Sequence, residues 1–243
     1  MTTVVVGASS GLGRALAAEL AARRHDLLLV ASGARDLAAL AADLGLRYGV
    51  EVRTLALDLA REVDPGARLL GALDEATSID ALVLAVGVSQ AGDDFALDGA
   101  AIGELVAVNL HAPLAIVHAL LPRLRAARGS VVLVGSVAAV RGRRRNVVYA
   151  ACKRALVSLY ESLRQAHAPG DLRVQLYEPG FLATNLTWGM ALPFAAVAPQ
   201  RAARRIVKGL RRGSGRHFLP RGYALLAWLL RLLPWGLYRR LRQ

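Results

Sequence analysis

Val4-Val5-Val6-Gly7-Ala8-Ser9-Ser10-Gly11-Leu12-Gly13 reads as a short β-branched strand running into a glycine loop, and an Ala/Leu-rich helical pattern follows to about Arg24. Strand, glycine loop and helix in that order open a nucleotide-binding βαβ unit. Glycines let the backbone come close to a pyrophosphate, and the first helical turn offers free N–H groups and the positive end of a dipole. The spacing is Gly-x-x-x-Gly-x-Gly rather than the Gly-x-Gly-x-x-Gly of the common dinucleotide fingerprint, so the loop by itself names no cofactor.

Outward from that helix the chain alternates. Leu27 to Ala31 reads as a second strand, Leu37 to Leu46 as a helix, and Val52 to Leu57 as a third strand ending at Asp58. Asp58 can accept a hydrogen bond from an adenine amino group or cap the next turn. A helix-like Ala67 to Ala76 leads to a strand at Ala81 to Val86, closed by Gly87. After the polar loop Ser89 to Asp94, apolar residues recur at helical spacing over Leu97 to Val108 and Leu114 to Leu124. Val131 to Val134 is a buried strand, Val147 to Gln165 a helix, and Leu172 to Tyr177 a strand before Glu178-Pro179-Gly180. This alternation predicts an α/β fold, a doubly wound parallel sheet with helices on both faces. Ligands in such sheets bind outside the carboxyl ends of the strands, where Gly7, Gly87, Ser136 and Pro179 all fall.

With 243 residues, 55% of them hydrophobic, the chain is long enough for one large domain, and no linker-like run or internal repeat divides it. A single cysteine, Cys152, excludes an intrachain disulfide and a multi-cysteine metal site and fits a reducing cytoplasm. The first residues lack the basic segment and cleavage site of a signal peptide, so a cytoplasmic location is expected. His25, His111, His118, His167 and His217 show no metal-ligand spacing, and no metal is expected. The net charge of +13 comes almost wholly from arginine and favours an anionic partner, whether nucleotide phosphate, acidic membrane surface or nucleic acid. No recognition-helix or zinc motif accompanies the charge, and aromatics at 5% are scarce for base stacking. A nucleic-acid-binding protein is therefore the weaker alternative to an enzyme.

The chemistry is read at Asn146 to Lys153. Residues four apart share a helical face, so Tyr149 and Lys153 present a phenol and an ammonium to one space. A phenol titrates near pH ~10 in water, and a fixed cation nearby lowers that value. Ser136, just past the strand Val131 to Val134, offers a hydroxyl to a carbonyl oxygen. The three groups suit reduction of a ketone, although a Tyr and a Lys at this spacing also meet by chance on many helices. Cys152 falls off their face and reads as a small packed residue. The run Arg141, Arg143, Arg144 and Arg145 is a solvated loop or a surface that meets an anionic substrate.

With these residues in place, the chain resembles the short-chain dehydrogenase/reductase family over nearly its whole length. Four motifs agree in order: Gly7-x-x-x-Gly11-x-Gly13, Asn109 in Val-Asn-Leu, Ser136 with Tyr149-x-x-x-Lys153, and Pro179-Gly180 followed by Thr184. The resemblance implies a Rossmann-like fold and an NAD(P)-dependent oxidoreductase moving hydride between nicotinamide and a ketone or secondary alcohol. It implies Tyr149 as acid or base, Ser136 polarising the carbonyl oxygen, Lys153 on the ribose hydroxyls while tuning Tyr149, and Asn109 holding a water in a proton relay. Cofactor-binding positions carried over are Gly7, Ser9, Ser10, Gly11, Leu12, Gly13, Arg14, Ser32, Arg35, Asp58, Gly87, Tyr149, Lys153, Pro179 and Gly180, with Leu182 and Thr184 at the nicotinamide amide.

Val6 departs from the family's usual Thr, and Leu84-Ala85-Val86-Gly87 stands where many members have Asn-Asn-Ala-Gly. Ala31-Ser32-Gly33-Ala34-Arg35 lacks the acid that binds an adenosine 2′-hydroxyl, which favours NADP(H) over NAD(H), with Arg14 or Arg35 supplying the cation. A catalytically silent NAD(P)-binding scaffold is the other alternative, disfavoured by the complete Asn, Ser, Tyr and Lys set. The family pairs helices between subunits, and Leu114 to Leu124 with the Val147 helix carry more apolar positions than one sheet face covers, so a homodimer or homotetramer is expected.

On this reading residues 1–220 form the catalytic domain and 221–243 an apolar, basic helical tail. The apolar stretch of Tyr223 to Leu241, broken by Arg231 and Pro234, falls well below the ~20 residues that span a bilayer. Its Trp228, Trp235 and Tyr238 with flanking arginines suit peripheral contact with the inner membrane face, a partner subunit, or a cover for the substrate cleft. Leu186 to Val197, where substrate recognition is expected, is apolar. Together with a weaker likeness to reductases acting on lipid-linked sugars, it points to a lipophilic or lipid-linked substrate.

Overall fold

The structure is a computed structural model and describes residues 2–168, 170–184, 187 and 195–241; most of the segment Leu186 to Val197 lies outside the described residues. Seven strands are formed there: β1 Thr2–Val6, β2 Asp26–Ala31, β3 Val52–Ala56, β4 Ile79–Leu84, β5 Ser130–Val134, β6 Arg173–Pro179 and β7 Gly215–Leu219. The α-helices are α1 Gly11–Ala21, α2 Ala34–Tyr48, α3 Pro65–Leu70, α4 Gly99–Val106, α5 Ala112–Ala126, α6 Val147–Ala166, α7 Pro199–Gly209, α8 Tyr223–Leu232 and α9 Trp235–Tyr238.

All strands are parallel, in the order β3-β2-β1-β4-β5-β6-β7. The order reverses at β1, which pairs Val4 with Leu28 on one side and with Leu82 on the other. Successive side chains of a strand point to opposite faces. Val4, Val6, Leu28, Leu82 and Val131 accordingly join one core with Ile116, Leu120 and Leu156, whereas Val5, Leu29, Val83 and Val132 join another with Leu16, Leu20, Leu37 and Ile206. Burial on both faces explains the unbroken apolar runs at 4–6 in β1, 81–84 in β4 and 131–134 in β5. Each such side chain contributes about 1.5–3 kcal/mol on leaving water.

Several boundaries differ from the sequence reading, each for a local reason. The helix expected at Ala67 to Ala76 is only α3, because Asp64 caps it through the Ala67 N–H and Pro65 fixes its first turn. β4 begins at Ile79 and ends two residues before Val86. The two apolar patterns at 97–124 join into one continuous helical run, since the π-helical turn Ala107–His111 carries α4 directly into α5. That run, Gly99–Ala126, is long and apolar enough to cross a membrane, but it packs on the sheet through Ile116, Val117, Leu120 and Leu124. The surplus apolar surface expected on α6 is not there. Its outward residues, Ala151, Arg154, Ser158 and Glu161, are mainly polar, and its apolar face is buried in its own subunit.

Exposed apolar surface lies instead on the tail, where Leu225, Trp228, Leu229, Leu232, Trp235 and Leu237 are each more than half exposed, from 51% to 65%. The tail is nevertheless seated on the body. A Cβ on Gly180 would come within 2.6 Å of the Tyr223 ring, so only glycine lets α8 lie this close. Arg141 donates to the carbonyls of Leu230 and Leu233 at 2.6 Å each and lies 4.1 Å over the Tyr238 ring.

Candidate active site

The glycine loop leaves β1 with Gly7 at φ +85, and a Cβ there would meet the Ala85 carbonyl oxygen at 2.9 Å. At Gly13 a Cβ would fall 1.9 Å from the Gly7 carbonyl oxygen, so α1 can cross the loop at this distance only with hydrogen at that position. The first N–H groups of α1 have no intrahelical acceptors, and the N-cap Ser10 makes no side-chain bond to them. They face a cleft of about 450 Å³ lined by Gly7, Ser9, Ser10, Gly11, Leu12, Ser32, Asp58, Gly87, Ser136, Tyr149, Lys153, Pro179, Gly180, Leu182 and Thr184. Close-packed glycines, free amides and a bare strand end fit a dinucleotide, whose pyrophosphate such amides hold.

Gly13, Arg14, Arg35 and Asn109, also read from the sequence, stand outside that lining. Gly13 is buried beneath the loop, and Arg14 and Arg35 are exposed beyond the cleft. Asp58 sits on the rim with its Oδ1 accepting from the Ala60 N–H at 3.0 Å, so it caps the turn as well as lining the cleft. Asn109 is fully buried within the π-helical turn: its Oδ1 accepts from Val88 N at 3.2 Å, and its Nδ2 donates to Val88 O and Leu105 O at 2.9 Å each.

Tyr149 lies in the first turn of α6, half-buried, and its phenol shares the wall of the cleft with the Ser136 hydroxyl. Ser136 is fixed in turn by the Ala138 N–H, which donates to its Oγ at 3.1 Å. Lys153, one turn along, is 2% exposed. Its Nζ donates to Val86 O at 2.7 Å and to Val134 O at 3.3 Å, leaving one ammonium hydrogen for a ligand in the cleft. A Cβ on Gly87 would lie 3.4 Å from that Nζ, so the glycine keeps the approach open.

Burial pushes the Tyr149 phenol above its ordinary value, while the Ser136 hydroxyl and the Arg143 guanidinium act the other way. In the free protein Lys153 is not among the groups that act on the phenol. Its ammonium is turned to two carbonyls, 5.7 Å from the Tyr149 ring centroid, and burial lowers its own pKa to about 8. The free protein therefore holds Tyr149 as the neutral acid at pH 7. Cys152 is packed away, its thiol pushed up by burial.

A model of the family described as short chain dehydrogenase matches residues 1–191. The chain belongs to this family. Among relatives of the short-chain dehydrogenase, the uncharacterized oxidoreductase Rv2073c of Mycobacterium tuberculosis is 30% identical over 98% of this chain and 96% of its own length. The uncharacterized oxidoreductase YmfI of Bacillus subtilis is 33% identical over 76% of each. Among solved structures, a short-chain dehydrogenase from Sphingobium yanoikuyae in complex with NADPH superposes with a TM-score of 0.83 at 29% identity, covering 100% of this chain and 96% of that one. A bulky-bulky ketone specific alcohol dehydrogenase from Comamonas testosteroni gives 0.82 at 25% identity, covering 100% and 95%. This short-chain dehydrogenase is thus an NAD(P)-dependent oxidoreductase with a Rossmann-like sheet.

One residue that positions the site escaped the sequence reading. The N-cap of α6, Asn146, sits at φ +53 and makes no side-chain cap bond. Asp93, 3% exposed on the loop after β4, does that work: Oδ1 accepts from Val148 N at 2.8 Å, Oδ2 from Tyr149 N at 3.0 Å, and its carbonyl from Val147 N at 3.1 Å. An anion there also suits the positive end of the helix dipole. Its partners are 54 to 56 positions away, so spacing in the sequence carries no sign of it.

Proposed function

We propose that this short-chain dehydrogenase is an NADP(H)-dependent carbonyl reductase or alcohol dehydrogenase acting on a lipophilic or lipid-linked ketone or secondary alcohol. The observation that carries this reading is the convergence of Tyr149, Ser136 and Lys153 on the wall of the glycine-loop cleft. The nicotinamide supplies the hydride when bound. Tyr149 gives its proton to the carbonyl oxygen as negative charge develops there, and Ser136 donates to the same oxygen. Lys153 uses its remaining hydrogen on the ribose hydroxyls. Asn109 retains one Oδ1 lone pair with which to hold a water behind Lys153. A complete set of this kind stands against the silent-scaffold alternative.

NADP(H) is favoured because Ser32, at the end of β2, lines the cleft with no carboxylate of its own, and the Sphingobium yanoikuyae relative holds NADPH. Arg14 or Arg35, both exposed beyond the cleft, supplies the cation for the 2′-phosphate. Titration with both nucleotides should show NADPH binding about ten times more tightly than NADH, the worth of one charge-assisted hydrogen bond. Preference for NADH would assign the 2′-hydroxyl to Asp36, whose carboxylate leans toward Gly33.

The division into a catalytic 1–220 and a tail 221–243 belongs to the same proposal, with the enzyme cytoplasmic, a homodimer or homotetramer, and α8 and α9 resting on an anionic membrane face. Exposed leucines and tryptophans beside Arg221, Arg231 and Arg239 support that contact. Co-sedimentation with phosphatidylglycerol vesicles should be lost in a Trp228→Glu, Leu229→Glu variant whose light-scattering mass is unchanged. A fall in mass would place the patch between subunits instead.

A further inference from the structure

Across the start of α6 from the nucleotide cleft lies a larger cavity of about 790 Å³, walled by the loop after Ser136, α6 and α9. Its lining includes five arginines, Arg141, Arg143, Arg144, Arg154 and Arg239, and no Asp or Glu. Among the described residues none of the five joins an ion pair. Four of them donate to backbone carbonyls instead: Arg154 to Ala139 and Val140, Arg144 to Arg239, Arg143 to Arg145, and Arg141 to α8 and its end. Neutral oxygens orient a guanidinium without cancelling its charge. Asp93 is the carboxylate that faces Arg143, and both its oxygens are taken by the N–H groups of Val148 and Tyr149.

The remaining wall is mainly apolar, with Phe95 and Trp235 at 84% and 65% exposure beside the charged loop. An inorganic ion would leave that surface wet, and a hydrocarbon alone would leave the guanidiniums without a counter-charge. We propose that the cavity binds an amphiphile bearing a compact oxyanion on an apolar chain. The oxyanion meets Arg143 and Arg144, and the chain lies along Trp235 and Leu241. Val147 and Ala150, on either side of Tyr149 in the first turn of α6, line the same cavity, so the occupant lies beside the catalytic helix. That the occupant is substrate rests on the reductase reading; that it binds does not.

The test is calorimetric titration of the NADPH-loaded full chain with dodecyl phosphate below its micelle concentration, against inorganic phosphate and dodecyl maltoside. Dodecyl phosphate should bind at least tenfold more tightly than either. An Arg143→Gln, Arg144→Gln variant should lose about 10- to 100-fold of that affinity with NADPH affinity and melting temperature unchanged. Arg239→Gln should weaken binding in the same direction and serves if the double variant does not fold. Equal affinity for dodecyl maltoside, or no loss in the variants, overturns the oxyanion site, and equal affinity for inorganic phosphate overturns the amphiphile. Loss of NADPH binding with dodecyl phosphate binding retained removes the reductase reading and leaves the cavity assigned.

Discussion

Replacing Tyr149 with Phe should lower turnover by about 10² to 10⁴, the worth of a positioned general acid, while NADPH affinity and the unfolding transition stay where they were. The substitution removes one hydroxyl from the cleft wall and keeps a ring seated in the first turn of α6. NADPH oxidation with any carbonyl substrate found by screening, measured beside cofactor affinity, decides the matter. Near-normal turnover would sink the mechanism. The pH profile should carry the same signature: burial holds the phenol protonated above its ordinary value in the free protein, so reduction should persist to alkaline pH and fail only as Tyr149 ionises.

Lys153→Met has the second large effect, and it acts on three observables. The ammonium hydrogen left over by Val86 and Val134 is gone, so NADPH affinity should fall about 10- to 100-fold and turnover with it. Stability should move the other way. A lysine with its pKa lowered from 10.5 to about 8 carries a burial penalty of about 3 kcal/mol, fully present below pH 8. Between pH 8 and 10.5 the unfolded chain binds the proton that the folded one has released, so wild-type stability rises with pH by at most about 1.4 kcal/mol per unit. Urea melts at pH 7, 8, 9 and 10 should show that rise in wild type and not in Lys153→Met. Parallel curves would mean that Lys153 keeps its proton in the fold.

What the sequence made legible was whatever a short window determines. Val4 to Gly13 could be read because a buried parallel strand is a solid apolar run and glycine marks the backbone's close approach. Tyr149 and Lys153 could be read because helical spacing alone puts them on one face. β7 was not legible: Gly215-Arg216-His217-Phe218-Leu219 is a half-buried edge strand whose place comes from pairing with β6. α7 hid behind its charge, since Arg201, Arg204 and Lys208 face water while Ala203, Ile206 and Val207 face α1 and the sheet. Asp93 and the phenol's response to Arg143 depend on contacts that only the tertiary fold creates.

The strand order has a consequence for synthesis. β2 forms on β1, β3 on β2 and β4 returns to β1; from there β5, β6 and β7 each add to the strand made immediately before. Every strand after β1 therefore finds its template already translated, and the one edge held open across intervening strands is that of β1, which waits for β4. The sheet can grow in the order of the message, with Tyr223 settling on Gly180 only after the last strand is in place.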